Sequence, residues 1–456
     1  MVKLFLAHIA YDYTVARLFL LYTRTMHVFF SGIGGAGIGP LALVAKEAGF
    51  EVSGSDKQTS SYIEYLRGHG LDTIHIGQTK AQLAKLHAAH PIDWYVYSSA
   101  VEKENPDAPE LAFVRSEGIK HSKRDEFINL ILREKHLKLI AIAGTHGKTT
   151  TTAMVIWLAK QLKLPISYNV GAKLSFGDMG EYDKKSDYFV YEADEFDRNF
   201  LAFEPHMSII AGVSWDHHEI FPTREDYQQA FREFMSQSHW SLIWQDDADY
   251  LGLSPSNDWA ILDPSNKQIS SLTLPGLYNR LDGWLAIQAI HELTTTPLET
   301  LIKAMNKFPG LQRRMEEIVP NLYSDYAHTP EKIRGAMSVA LEMAAKKNQD
   351  VIVIYEPLTN RRQHYMLDSY GDCFDGAKHV YWIPSYLARE DPSQRIIPPE
   401  ELISHLAKPS VAEPRLRNAM LQDTIRTHLD RGDMVVCMAG GGGGSLDEWV
   451  RGKFKA

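Results

Sequence analysis

Residues 137–161 read LKLIAIAGTHGKTTTTAMVIWLAKQ. The first seven residues are a short apolar run, which predicts a buried strand. The residues after Gly147 have the length and composition of a helix. A strand, a glycine-containing turn and a helix in this order are typical of a βαβ unit, so the segment predicts a parallel sheet with helices packed on it.

The turn between this strand and helix has the composition of a phosphate-binding loop. In such a loop, backbone amides surround the phosphates, a lysine neutralises the β and γ oxygens, and a hydroxyl ligates magnesium. Lys148 and Thr149 occupy those positions, although Ile142 stands where the general pattern has its first glycine. The sequence therefore predicts a variant ATP site formed by Gly144, Thr145, His146, Gly147, Lys148, Thr149 and Thr150.

The same order of strand, glycine turn and helix occurs on both sides of this segment. HVFFS (27–31) precedes GIGGAG, and DMVVCMA (433–439) precedes five glycines (440–444). Three such units in 456 residues predict an α/β protein of three domains. We expect a leader of uncertain status (1–25), an N-terminal Rossmann-like domain (26–136), a central P-loop domain (137–310) and a C-terminal Rossmann-like domain (311–456).

The first glycine turn matches the pattern G-x-G-x-x-G through Gly32, Gly34 and Gly37, and Asp56 ends the next predicted strand. This arrangement allows amides and a helix N-terminus to approach a diphosphate. Three interpretations stay open at this point: a nicotinamide site, a site for another phosphorylated ligand, and a turn that only packs a helix on a sheet.

Two polar clusters follow predicted strands behind the P-loop. Glu192-Ala193-Asp194-Glu195 ends the strand DYFVYEA, and Asp216-His217 follows HMSIIAGVS. Because the carboxyl ends of parallel strands share one sheet edge, Glu192 and His217 are candidate magnesium ligands beside the P-loop.

The composition excludes several classes of protein. The net charge is −9 without a block of basic residues, so a nucleic acid is a poor candidate partner. Two distant cysteines favour neither a disulfide framework nor a zinc site. Charged residues interrupt the apolar segment 1–25, which argues against a membrane span and a signal peptide, and we expect Met26 to be the natural start of a cytoplasmic protein.

Taken in order, these motifs resemble the Mur ligase family, and further matches extend over nearly the whole chain from Met26. The matching segments are SGIGGAGI (31–38), SSAVEKENP (98–106), GTHGKTTTT (144–152), EADE (192–195), DH (216–217), LPG with Asn279, FPGLQRRMEE (308–317) and DYAHTP (325–330).

This resemblance implies an ATP-dependent ligase that joins an amine to the lactyl carboxylate of UDP-N-acetylmuramate through an acyl phosphate. It implies catalytic roles for Lys148, Glu192, His217 and Arg314, with Mg²⁺ bound by Thr149, Glu192 and His217. It adds Asn279, Arg314 and Asp325 to the ATP site. It places the UDP-sugar at Gly32, Gly34, Gly35, Gly37, Asp56 and Ser99, and the acceptor at His328, Arg361 and Arg362.

The identity of the acceptor stays open between L-alanine and a tripeptide. The first glycine loop resembles that of the L-alanine-adding ligases, which we favour. The segment Glu356-Pro357-Leu358-Thr359-Asn360-Arg361-Arg362 and the five glycines resemble ligases that recycle a tripeptide onto the same sugar. The glycines are equally well interpreted as a flexible turn. We expect a monomer or a homodimer.

Three other functions compete with this interpretation. A folylpolyglutamate synthase-like enzyme would not need the first glycine loop, and a nicotinamide oxidoreductase would leave the P-loop unused. A nucleotide-regulated binding protein would hold ATP without turnover.

Overall fold

The computed structural model describes residues 25–98, 101, 105–217, 220–387, 390–391 and 393–454. The leader predicted at 1–25 therefore lies, except for Thr25, outside the described residues. Compactness divides the chain into two units, which are formed by residues 25–140, 165–171 and 180–206 and by residues 141–164, 172–179 and 207–454. Within the described part, no helix has both the length and the apolar composition needed to cross a bilayer.

The elements alternate between strands and helices, as the α/β prediction requires. The N-terminal region contains β1 (His27–Ser31), α1 (Gly39–Glu47), β2 (Glu51–Asp56), α2 (Ser61–Gly68), β3 (Ile74–Ile76), α3 (Lys80–Ala89), β4 (Trp94–Tyr97), α4 (Pro109–Ser116), β5 (Lys120–Lys123) and α5 (Arg124–Glu134). The central region contains β6 (Lys138–Ala143), α6 (Lys148–Gln161), β7 (Ser167–Asn169), β8 (Gly180–Glu181), β9 (Tyr188–Glu192), β10 (Met207–Ile210), α7 (Arg224–Gln237), β11 (Ser241–Trp244), α8 (Gln245–Tyr250), β12 (Trp259–Leu262), α9 (Leu277–Thr294) and α10 (Leu298–Met305). The C-terminal region contains β13 (Glu316–Val319), β14 (Leu322–Asp325), α11 (Pro330–Lys347), β15 (Val351–Glu356), α12 (Asn360–Met366), β16 (His379–Trp382), α13 (Pro399–Ser404), β17 (Ala412–Pro414), α14 (Ala419–Asp430), β18 (Met434–Ala439) and α15 (Leu446–Phe454).

In the first unit, a five-stranded parallel sheet has the order β3-β2-β1-β4-β5. All five residues of β1 are buried, as expected for a strand covered on both faces. The chain leaves β1 toward β2 on one side and later returns to β4 on the other. The first glycine turn therefore lies at the switch point of the sheet, where ligands of open α/β sheets bind.

The first unit also contains β9, β7 and β8 in that order. β7 pairs parallel with β9 but antiparallel with β8, where Tyr168 lies opposite Glu181. Strand β8 is therefore an antiparallel edge strand, which the sequence did not predict. An antiparallel neighbour needs only a connecting loop, whereas a parallel one needs a crossover of a dozen or more residues.

In the second unit, β12, β11 and β10 pair in parallel in that order, and β6, whose last three residues belong to this unit, lies next to β10. Helix α6 follows β6 through the predicted phosphate loop and packs against the 18-residue helix α9. Both helices bury most of their apolar residues, which explains why neither has a strongly one-sided apolar pattern.

The C-terminal sheet of the second unit has the order β13-β14-β18-β15-β16-β17, with β13 antiparallel and the others parallel. Alternate residues of β15 enter different cores. Val353 and Tyr355 join an aromatic cluster with Trp382, whose ring centroid lies 4.9 Å from that of Tyr355, whereas Ile352 and Ile354 pack toward α14 and α15. Because β14 and β15 both run parallel to β18, the polar residues that end them, Asp325 and Glu356, lie at the same carboxyl-terminal edge of the sheet.

The packing of the first sheet predicts that Gly54→Ala destabilises the protein. A Cβ at Gly54 would lie 2.6 Å from the carbonyl oxygen of Phe30, so the backbone of β1 or β2 must move. We expect a loss of about 1–3 kcal/mol in chemical denaturation.

The control is Gly68→Ala at the end of α2, where an added Cβ meets no atom within 4 Å. This variant should stay within about 1 kcal/mol of the parent protein. Equal destabilisation by both substitutions would contradict the packing described for Gly54.

Candidate functional site

The phosphate loop of the second unit has a backbone that requires glycine at two positions. Gly144 has φ +142° and Gly147 has φ +75°. A Cβ on Gly144 would lie 2.9 Å from the carbonyl oxygen of Gly212, and one on Gly147 would lie 2.6 Å from Asp282 Oδ1. Gly147 precedes α6 directly, so the open amides at the N-terminus of that helix face the loop.

A neighbouring loop, residues 211–216, holds the phosphate loop in shape. The amide of Thr145 donates to Gly212 O at 2.7 Å, and its hydroxyl donates to Ser214 O at 2.7 Å. His146 Nε2 lies 2.9 Å from Ser214 Oγ. Strand β10 therefore ends at Ile210, earlier than the predicted run HMSIIAGVS, because the following residues bond to the P-loop. The side chains of Thr145 and His146 brace the loop.

The remaining predicted residues of the loop stand at the start of α6. Lys148 Nζ donates to Gly144 O across the loop, and Thr149 and Thr150 are half-buried in the first turn. Burial lowers the pKa of His146, and the nearby charges of Lys332 and Lys148 lower it further. The imidazole is therefore neutral near pH 7 and adds no charge to a phosphate site.

Residues Asp216 and His217 follow the bracing loop. The backbone amide of His217 donates to Asp216 Oδ1 at 2.7 Å, and His217 has φ +55°, a left-handed conformation that is uncommon outside glycine. Asn279, which was predicted to bind ATP, lies on α9. Its Nδ2 donates to Pro275 O at 2.7 Å, so its side-chain oxygen is the atom proposed to contact the adenine base.

The two arginines of the predicted linker have different environments. Arg313 donates to the carbonyl oxygens of Ala439 and Gly441 at 2.6 and 3.0 Å, so its guanidinium is fixed to the glycine-rich turn. Burial raises the pKa values of Asp282 and Asp325, and the charge of Arg314 opposes both rises, whereas Arg313 contributes only a smaller opposing effect at Asp325. The sequence alone could not separate these adjacent arginines, and the structure leaves Arg314 as the one directed toward the P-loop.

A further cation, Lys332, lies in the first turn of α11 and was missed in the sequence. Burial lowers its pKa to about 8, and the charges of Arg314, Lys148 and Arg362 contribute, while Asp216 opposes the change. Cations lower one another's pKa only when they are close. Lys148, Arg314, Lys332 and Arg362 thus lie near one another on four separate segments, which is expected of a site for a polyanion.

Asp282 on α9 lies against the P-loop and was also missed. Its side chain is 8% exposed, and burial raises its pKa to about 8, against the opposing charge of Arg314. The carboxyl is therefore largely protonated at neutral pH and does not repel phosphate. No motif marks it, because its contact with Gly147 depends on the packing of α9.

Asp325, predicted to contact ribose, is buried at the end of β14. Its Oδ2 accepts the amide of Met315 and its Oδ1 accepts the amide of Ala327, both at 2.8 Å. These bonds join the arginine linker to the turn that carries His328. The carboxylate therefore positions Arg314 through the backbone, and a ribose contact stays a prediction.

His328 holds Arg362, and both were predicted to bind the acceptor. Burial lowers the pKa of His328 well below its usual value, and the charge of Lys332 adds to this. Nδ1 lies 2.7 Å from Tyr326 O, which assigns the proton to Nδ1, so Nε2 is free to accept from Arg362 Nη1 at 3.3 Å. Arg362 and Arg361 are exposed, so the guanidinium of Arg362 is held in place and accessible.

The residues that resembled the tripeptide ligases are engaged within the protein. Glu356 Oε2 accepts the amide of Leu446 at 2.8 Å, and Asn360 bonds to the backbone of Arg395 and Ile397. A Cβ on Gly440 would lie 2.6 Å from the ring of His328. Gly440 and Gly441 are therefore packed, whereas Gly442, Gly443 and Gly444 are exposed, so the interpretation as a flexible turn stays open for the last three glycines.

In the first unit, the glycine turn after β1 contacts Asp56 directly. Gly32 has φ +75°, and the amide of Gly34 donates to Asp56 Oδ2 at 2.8 Å. A Cβ on Gly34 would lie 2.9 Å from the same oxygen. The structure thus places Gly32, Gly34, Gly35, Gly37 and Asp56 together, whereas Ser99 lies outside the described residues.

A buried carboxyl lies beneath this turn and was not recognised in the sequence. Glu110 Oε2 accepts hydrogen bonds from Ser55 Oγ, Ser31 Oγ and Tyr95 OH at 2.8, 3.0 and 3.2 Å. Burial raises its pKa, and the serine hydrogen bonds oppose the rise. Glu110 also lines a cavity of about 260 Å³ at the switch point, with Gln78 as a neighbour.

Glu192, a predicted metal ligand, belongs to the first unit, where its Oε2 accepts the amide of Gly171 at 3.0 Å. Among the residues that the structure describes, no group of three or more His, Cys, Asp or Glu side chains is arranged to hold a metal ion.

The buried carboxyl beside the P-loop predicts a pH-dependent effect of Asp282→Asn. Aspartate normally ionises near pH 3.8, whereas Asp282 ionises near 8 in the folded chain. Between these values the folded state binds the additional proton, so the parent protein loses stability as pH rises. The variant avoids this loss and should be more stable by over about 1 kcal/mol at pH 8.

Thermal unfolding of the unliganded protein at pH 5, 6, 7 and 8 measures this difference. The matched control, Asp246→Asn, makes the same substitution at an exposed side chain of α8. A stability difference for Asp282→Asn that does not grow with pH would contradict the assigned environment.

Comparison with known proteins identifies relatives that match most of the chain. Curated relatives include the UDP-N-acetylmuramate–L-alanine ligase of Alkaliphilus metalliredigens, which is 28% identical over 91% of this chain and 95% of its own length. The protein of the same name from Chlorobium chlorochromatii is 27% identical over 92% of this chain and 95% of its own.

Solved structures with the same fold include the UDP-N-acetylmuramate-alanine ligase of Thermotoga maritima, with a TM-score of 0.73 and 22% identity over 94% of this chain and 98% of that one. A murein peptide ligase of Psychrobacter arcticus has a TM-score of 0.57 and 22% identity over 94% and 97%.

Family models match three consecutive segments. The Mur ligase family catalytic domain matches residues 27–136, the Mur ligase middle domain matches 142–262, and the Mur ligase glutamate ligase domain matches 313–441. These three domains of one family follow one another over most of the chain, which therefore belongs to the Mur ligase family.

Proposed function

We propose that this protein joins L-alanine to the lactyl carboxylate of UDP-N-acetylmuramate, with ATP converted to ADP and phosphate. As a Mur ligase it is an ATP-dependent amide ligase. The observation that carries the proposal is the braced P-loop, toward which Lys148, Arg314, Lys332 and Arg362 converge. The L-alanine ligases that match over most of the chain supply the substrates of the proposal.

The chemistry explains why such a site needs many cations. A carboxylate cannot expel oxide when an amine attacks, so one of its oxygens must first be phosphorylated. In the first step, that oxygen attacks the γ-phosphorus and ADP leaves. The amine then attacks the acyl phosphate, and phosphate leaves with the former carboxylate oxygen. The first step brings two anions together, and nearby positive charge lowers its barrier.

The residues of the second unit divide this work. The amides of Gly147 and Lys148 and the first turn of α6 bind phosphate, while the Lys148 ammonium neutralises the transferred group. Arg314 adds a second charge, which Asp325 positions through Met315. Asp282 presents a protonated carboxyl, so it supports the loop without repelling the nucleotide.

The residues fit magnesium in a limited way that is typical of ATP enzymes. Magnesium usually has one or two protein ligands and completes its shell with phosphate oxygens and water. The hydroxyl of Thr149 is in the first turn after the P-loop, and His217 of the same unit is a second proposed ligand. Glu192 stays a prediction from the sequence. Bound Mg²⁺ would neutralise phosphate charge and make the γ-phosphorus more electrophilic.

For the acceptor, we propose that Arg362 binds the α-carboxylate. The buried, neutral His328 holds the guanidinium through Nε2, so Arg362 is oriented before the acceptor arrives. We favour L-alanine over the tripeptide because the curated relatives that match most of the chain are L-alanine ligases. We further propose that the protein works in the cytoplasm, where ATP and nucleotide sugars are available, and that it is a monomer or a homodimer.

The P-loop assignment predicts that Lys148→Ala lowers ADP release at least about 100-fold, because the charge on the transferred phosphate is no longer neutralised. Binding of UDP-N-acetylmuramate should persist, since the proposed donor loop lies in the first unit. Lys303→Ala, which removes an exposed i,i+4 pair with Glu299 on α10, is the control and should keep normal turnover. Normal ADP release by Lys148→Ala would contradict the assignment.

The acceptor assignment predicts that phosphate release with UDP-N-acetylmuramate and ATP depends on L-alanine. Glycine, L-serine and the tripeptide L-Ala-γ-D-Glu-meso-diaminopimelate serve as competing acceptors at equal concentration. We expect the highest kcat/KM for L-alanine, and Arg362→Met should raise the KM for L-alanine more than that for ATP. Higher kcat/KM for the tripeptide would assign the protein to the recycling reaction.

A further inference from the structure

Arg124 is the first residue of α5, and its side chain reaches the first glycine turn. Its Nη1 lies 2.1 Å from the position that a Cβ on Gly37 would occupy. Gly37 does not have a left-handed φ, so its backbone does not require glycine. The reason for glycine at position 37 is therefore space for the guanidinium of Arg124.

The guanidinium of Arg124 is poorly satisfied by the protein. Its Nε lies 3.6 Å from Asp125 Oδ1 and its Nη2 lies 3.6 Å from Asp194 Oδ2, both beyond good hydrogen-bond length. No hydrogen bond from Arg124 to any described residue is present, although the side chain is only 19% exposed. A guanidinium has five N–H donors, and buried charged groups are normally hydrogen-bonded.

Two neighbouring polar atoms also lack a hydrogen-bond partner. Asp125 Oδ1 and the hydroxyl of Tyr191 are buried and have no hydrogen-bond partner among the described residues. Tyr191 belongs to β9, directly before Glu192, and the charge of Arg124 acts on both Tyr191 and Asp125. Two unsatisfied polar atoms beside an unsatisfied guanidinium indicate that a polar ligand completes this cluster.

We propose that Arg124 is a donor-binding residue whose guanidinium binds the diphosphate of the UDP-sugar together with the amides of the first glycine turn. The proposal rests on the function proposed above and adds a residue to its donor site. The planar fork of arginine matches two phosphate oxygens, and such charge-assisted pairs are among the stronger hydrogen bonds.

The position of Arg124 favours the diphosphate over the lactyl carboxylate. Its Nη1 is beside Gly37, in the turn whose amides suit a diphosphate. Asp194 Oδ2 lies 3.6 Å from Nη2, the other terminal nitrogen of the guanidinium, too far for a good hydrogen bond. The donors of Arg124 are therefore available to phosphate oxygens.

Calorimetric titration of the full-length protein tests this proposal. The ligands are UDP, UDP-N-acetylglucosamine and UDP-N-acetylmuramate, of which only the last carries a lactyl carboxylate. We expect Arg124→Met to weaken all three by a similar factor of about 10 to 100. Arg124→Lys should lose less affinity for the three nucleotides, because lysine keeps the positive charge but lacks the planar fork of arginine.

Gly37→Ala tests the placement of Arg124 beside Gly37 in a second way. The added methyl group would lie 2.1 Å from Arg124 Nη1 and displace the side chain, so this variant should also weaken UDP binding. Since both changes remove one interaction, the double variant should bind UDP only slightly more weakly than either single variant.

Lys123→Met is the matched control. Lys123 is the neighbour of Arg124 but pairs with Asp197 at 2.7 Å, and its loss should leave UDP affinity within about twofold. Thermal unfolding and binding of an ATP analogue verify that each variant is folded.

Unchanged affinities in the folded Arg124→Met protein would overturn the proposal. A loss confined to UDP-N-acetylmuramate would also overturn it, because it would place Arg124 at the lactyl carboxylate. If the parent protein binds none of the three nucleotides, the proposed function itself fails, which separates the two failures.

Discussion

The shape of the phosphate loop is the constraint on which the rest of the second unit depends. Amide groups can surround a phosphate only if the backbone turns back on itself, and here Gly144 and Gly147 make that turn with positive φ angles. The turn is kept by hydrogen bonds from Thr145 to Gly212 and Ser214. The early end of β10 and the close packing of Asp282 against Gly147 both follow from this one loop.

Charge is the second constraint. The chain carries a net charge of −9, yet the proposed reaction joins a carboxylate to a triphosphate. In the structure, local features near the P-loop offset this negative charge. Positive side chains converge near the P-loop, burial keeps Asp282 protonated, and His328 and His146 are neutral. A favourable local potential therefore does not require a basic protein surface, because nearby charges outweigh distant, screened ones.

The sequence predicted those parts of the molecule that depend on local patterns. Strands β1, β6 and β18, the turns that follow them and the helices beyond are where the residue pattern placed them. The family was recognisable for the same reason, since its motifs are short and ordered. Residues brought in by packing were not predictable: Arg124, Lys332, Glu110 and Asp282 belong to no motif and acquire their roles from helices that approach a loop from elsewhere in the chain. The different roles of Arg313 and Arg314 and the internal bonds of Glu356 and Asn360 are likewise set by tertiary structure.

The central claim is that a sugar-borne carboxylate is activated by phosphoryl transfer from ATP held in the braced P-loop. The most direct measurement uses UDP-N-acetylmuramate labelled with ¹⁸O in the lactyl carboxylate, with ATP and L-alanine as co-substrates. The released phosphate should contain one ¹⁸O atom for each amide bond formed, because the attacking oxygen leaves with phosphorus. Amide formation with unlabelled phosphate would contradict the account.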